Sequence, residues 1–70
     1  MLTHYCQGLE DGVSWYVDFV SSENKWVVVA EKNGIKKEDS FTGYEPRFGV
    51  DMCDLSRIEK LLDDFINDLK

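Results

Sequence analysis

The residues best equipped for chemistry in this 70-residue chain are His4, Cys6 and Cys53. His4-x-Cys6 together with Cys53 and a nearby aspartate supplies the donor types that tetrahedral zinc takes. The spacing, however, matches neither a Cys-x₂-Cys nor a His-x₃-His arrangement, so no metal is expected. Nucleophilic catalysis would need one of the two cysteines beside a base, and His4 is the single histidine of the chain. Cys53 falls in what should be the first turn of a helix, where the helix dipole lowers a thiol pKa, while Asp51 and Asp54 oppose that effect. Asp63 and Asp64 are neighbours in sequence and cannot converge on one point of a helix surface. Without a phosphate-binding glycine loop as well, the chain reads as non-enzymatic, with no cofactor. A small metal- or thiol-dependent protein using His4, Cys6 and Cys53 is the alternative.

Charge is the next signal. Fourteen acidic against eight basic residues give a formal net charge of −6. Phosphate backbones demand clustered lysine and arginine, so direct nucleic-acid binding is not expected. An acidic surface suits a basic protein partner, because complementary potentials speed encounter and reject wrong partners. No apolar run approaches the ~20 residues of a membrane helix. The opening Met1-Leu2-Thr3-His4 has neither the basic nor the apolar region of a secretion signal. A cytoplasmic protein with reduced thiols is therefore expected.

The elements that must position these residues follow from periodicity. Asp51 to Lys70 carries Leu55, Ile58, Leu61, Leu62, Phe65, Ile66 and Leu69 at intervals of three and four, one apolar stripe of an amphipathic helix. Asp51 is the expected N-cap and Asp54 the alternative; Val50 can staple onto Leu55. Upstream, Val13 to Val20 alternates in the period-2 manner of a strand, and Lys25 to Glu31 is rich in β-prone residues. Residues 2 to 9 form a weaker strand. Asp11-Gly12 and Asn33-Gly34 have the chemistry of tight hairpin turns, and Ser21 to Asn24 is a polar turn between them.

Counting out from Asn33-Gly34 pairs Lys32 with Ile35, Ala30 with Lys37, Val28 with Asp39 and Trp26 with Phe41. Counting in across Ser21–Asn24 pairs Phe19 with Trp26, Val17 with Val28 and Trp15 with Ala30. Both counts place the same side chains on one face, which predicts an antiparallel meander of three or four strands with the helix across that face. The fold class is α+β, one domain over residues 1–70. A domain of this size buries only about 60% of its unfolded-chain surface and needs every aromatic it has.

Three surfaces then become candidates for binding. Tyr44, Arg47 and Phe48 share the irregular segment from Gly43 to Val50, either as interface anchors or folded back to plug the open end of the core. Asp63, Asp64 and Asp68 load the last two helical turns with charge that the helix dipole disfavours, as a surface kept for a partner would. The second sheet face carries Tyr16, Val20, Val27 and Val29, joined in this reading by Tyr5 and Leu9. Its Tyr16, Val27 and Val29 are the candidates for self-association. The expected function is a protein-protein interaction module, a small acidic accessory or inhibitor protein that forms a homodimer. A narrower version is an inhibitor of a basic nucleic-acid-binding protein, of the kind phages and mobile elements encode.

Overall fold

The computed structural model describes residues 2–46 and 49–70. Four strands, β1 (Leu2–Glu10), β2 (Val13–Val20), β3 (Lys25–Lys32) and β4 (Ile35–Thr42), precede one helix, α1 (Met52–Leu69). The strands form one antiparallel sheet in the order β1-β2-β3-β4, a meander with a hairpin at every connection.

The turns explain the register. Asp11 and Gly12 have φ of 52° and 79°, and Asn33 and Gly34 have 53° and 83°. Two consecutive positive φ values are the signature of the type I′ turn, whose twist matches that of the strands it joins. Every pair counted from the sequence across β2–β3 and β3–β4 is present, from Lys32 with Ile35 to Trp15 with Ala30.

β1 forms in full and differs in one respect from a plain strand. Its ladder to β2 shifts between His4 and Cys6, so that Tyr5 is an extra residue. A bulge reverses the alternation of side chains beyond it. Tyr5, expected beside Leu9 on the second face, accordingly sits on the helix side, its ring edge-on to Trp26 at 5.3 Å. Leu9, past the bulge, is opposite Ser14 and stays on the second face.

The core lies between the helix and one sheet face. Val17, Phe19, Trp26, Val28 and Ile58 are buried together, and Val13, Ala30 and Ile66 continue the layer toward the other end. Phe19 and Trp26 meet edge-on with centroids 5.0 Å apart, a geometry worth about 0.5–1.5 kcal/mol beyond area burial. The helix begins as its sequence demands: Cys53 N–H donates to the Asp51 carboxylate at 2.9 Å, and Asp51 is the N-cap. Val50 packs on the core just before it. The helix rides over β3, with β2 and β4 to either side, and has little contact with β1. No helix is long and apolar enough to cross a membrane, among the described residues.

Candidate interaction surface

The loop leaving β4 is held by a buried carboxylate. Asp54, in the first turn of α1, is only 6% exposed. Its Oδ2 accepts from Trp26 Nε1–H at 3.2 Å and from the Tyr44 backbone N–H at 2.9 Å. Gly43 threads between the two partners: a Cβ there would lie 2.4 Å from Trp26 Cδ1 and 2.8 Å from Asp54 Oδ2. Gly43 N–H donates to the Asn24 carbonyl at 2.9 Å, tying the loop to the β2–β3 turn as well. Buried polar groups with complete hydrogen bonding rigidify what they hold. Tyr44 is thus fixed at its backbone while its side chain is 73% exposed, so it does not plug the core. Arg47 and Phe48 lie outside the described residues.

The acidic trio divides. Asp68 reaches across to β4, where Lys37 Nζ donates to its Oδ2 at 3.2 Å. Asp64 lines a shallow groove with Asp39, Phe41, Arg57, Lys60 and Leu61, and Arg57 stacks over the Phe41 ring 5.0 Å from its centroid. Asp63 is exposed, one position and about 100° further around the helix than Asp64. Asp64 and Asp68 therefore share the β4 side of the helix, and Asp63 lies further around it.

On the second sheet face the apolar strip is partly closed by its own neighbours. Val29 is 2% exposed, flanked in the register by Tyr16 and Glu38, while Val20 and Val27 are half-buried and Tyr16 is 36% exposed. The exposed apolar surface is displaced toward β1. Of the seven large apolar side chains exposed among the described residues, Leu2, Tyr5 and Leu9 are on β1 and Tyr16 is on β2 beside it, leaving Ile35, Tyr44 and Met52 elsewhere. A shallow open concavity lies in the same region, lined by Gln7, Gly8, Leu9, Ser14, Trp15 and Tyr16.

Comparison with protein-family models, with curated proteins and with solved structures finds no match. What the surface can do is read from its own chemistry.

His4, Cys6 and Cys53 do not converge. The bulge separates the first two: His4 faces the second side of the sheet, its Nδ1 2.9 Å from Asp18 Oδ1, while Cys6 packs against the helix-side core. Cys53 is exposed at the start of the helix. No three of the described His, Cys, Asp and Glu residues form a metal-holding group. Burial pushes the Cys6 thiol pKa up, and the Asp18 carboxylate adds to the rise, so Cys6 is a muted nucleophile.

Three features here escape sequence reading: the Asp54 latch, the His4–Asp18 pair and the apolar character of the β1 edge. Asp54 follows Asp51 at the N3 spacing, a signal for a first-turn hydrogen bond, but its partners come from other elements. His4 and Asp18 pair only once the bulge has set the β1 register.

Proposed function

We propose that this chain is a non-enzymatic protein-interaction module, a small acidic accessory protein that self-associates through the β1 side of its sheet. The observation carrying this reading is the concentration of exposed apolar side chains on β1 and Tyr16, where the helix gives little cover. Exposed apolar side chains gathered on one edge of a small sheet favour association, and small domains gain stability from it. Both cysteines are free, which suits a reducing cytoplasm.

Solution mass tests it. Light scattering over a concentration series, in reducing buffer, should show a monomer–dimer equilibrium. A strict monomer up to about 1 mM, the limit of weak association, would overturn self-association.

A second reading has its own support in Asp63 and Asp64, which are exposed on the helix surface. They suit an acidic inhibitor of a basic, nucleic-acid-binding protein, with Tyr44 as a rigid anchor. Reversing the charge of both residues should then abolish binding to such a partner without altering the solution mass.

A further inference from the structure

We infer that the occupant of the β1 edge is a second copy of this chain, paired antiparallel with its own β1 to make one continuous eight-stranded sheet. This rests on the self-association proposed above and specifies its geometry. The two outer strands of the sheet are unlike. β4 carries Lys36, Lys37, Glu38 and Asp39, four charges in eight residues, the usual protection of an open edge. β1 is nine residues long and carries a single formal charge at pH 7, on Glu10. An edge without charge is a template for strand addition.

Charge also restricts how a second copy can approach. Each chain bears −6, so two copies repel wherever their acidic surfaces meet. β1 is the outer strand along which two copies can approach with almost no charge opposed. A strongly basic foreign segment would find little on β1 to recognise, since it offers one carboxylate at its far end.

The bulge sets the register. It interrupts the strand between His4 and Cys6, leaving Cys6–Glu10 as the longest regular segment. A two-fold axis through Gly8 pairs Gly8 with itself, Gln7 with Leu9 of the other copy, and Cys6 with the other Glu10. Each pair has the same parity, so side chains of both copies agree about faces. Gly8 is bare at the axis: a Cβ there would lie 2.5 Å from Trp15 Cζ2, because the indole lies across the strand. Leu9, 72% exposed, then meets the concavity that Gln7 and Tyr16 line in the other copy. The axis is perpendicular to the sheet and leaves both helices on one side. Five paired residues span about 17 Å. An interface on that scale falls below the roughly 1,000 Å² of a stable complex, so the dimer is reversible.

The test uses light scattering and sedimentation on the full chain in reducing buffer, at about 0.05 M and 0.5 M salt, where charge repulsion is strong and then screened. The dimer should tighten at least about threefold at the higher salt, because screening relieves repulsion between like-charged copies. Leu9→Glu should weaken dimerisation at least about tenfold. Leu2→Glu, on the far side of the bulge, should change it less than about twofold. The double variant Leu9→Glu with Gln7→Lys should recover most of the loss, since the new charges face each other across the axis. Far-UV circular dichroism and thermal melts confirm that each variant folds, as expected for the exposed Leu2, Gln7 and Leu9 and checked separately for the half-buried Val27. An intact dimer in Leu9→Glu that is lost in Val27→Glu would overturn edge pairing while self-association stands. A wild type that stays monomeric at both salts would overturn both.

Discussion

Asp54 illustrates how one buried carboxylate governs a loop. Its two hydrogen bonds join the helix start, the core indole and the backbone of Tyr44. Bonds to a charged acceptor contribute about 1.5–3 kcal/mol each, and a donor left buried without a partner costs about 1–3 kcal/mol. Asp54→Ala should therefore cost about 2–4 kcal/mol in urea unfolding, and it should raise amide exchange at Tyr44. Gly43→Ala tests the same latch sterically: a Cβ 2.4 Å from Trp26 and 2.8 Å from the carboxylate must displace one of them. Overpacking of that kind costs about 1–3 kcal/mol. Tyr44→Ala, which removes only an exposed ring, should change stability by less than about 0.5 kcal/mol.

Cys6 yields a pH prediction. Its pKa is higher in the folded chain than its ordinary 9.0, so the folded state holds the thiol proton more tightly than the unfolded one. Its contribution to stability is complete below the ordinary value and is lost as pH rises through the raised one. The fall in stability above about pH 9 should be shallower in Cys6→Ser than in the wild type. At neutral pH a thiol reagent should modify the exposed Cys53 well before Cys6. None of this residue-scale chemistry is visible in the sequence, because Asp54, Gly43 and Trp26 are brought together by two different connections, and Cys6 becomes half-buried only once β1 is in place.

At the scale of elements the sequence was far more legible. Asn33-Gly34 and the short polar turn at Ser21–Asn24 each imply a register, and the two agree, so β2, β3 and β4 could be aligned residue by residue. The helix was legible for the same reason: its period is unbroken over Asp51 to Lys70, and its N-cap is a carboxylate at the first helical boundary. Asp51→Ala should cost about 1 kcal/mol through loss of that cap, read as a shift in the thermal midpoint. The bulge in β1 was not legible. Nothing in Leu2–Glu10 marks Tyr5 as an extra residue, and the bulge arises from pairing with β2 and packing on Trp26. One unpaired residue was enough to exchange Tyr5 from one face to the other. On the helix, Arg57 over Phe41 and Lys37 with Asp68 both tie α1 to β4. The Lys37–Asp68 contact is exposed, so Lys37→Ala should cost no more than about 1 kcal/mol, with the effect fading as salt is raised.

Across the whole molecule, surfaces are harder to read than cores. Val27 and Val29 looked equally available from alternation, yet Val29 is almost wholly covered and Val27 half so, because accessibility depends on how flanking side chains lie. The acidic helix end looked like one patch in sequence and divides in space between the β4 side and the outer helix surface. What the molecule offers instead is an asymmetry between its two sheet edges, one charged and one almost without charge, that becomes apparent only when strand order is known.

The meander has a kinetic consequence. Each strand after β1 is hydrogen-bonded to the strand before it, with connections of two to four residues, so most of the sheet can close by short loops. Chains dominated by such near-neighbour pairings reach their native state quickly, because little loop-closure entropy is lost before contacts form. β3 has a strand on either side and the helix above it, whereas β1 is attached along one side only. Refolding from urea should be dominated by a fast phase. In dilute solution, where the chain is monomeric, native-state hydrogen exchange should release β1 amides at low opening energy and β3 amides only on global unfolding.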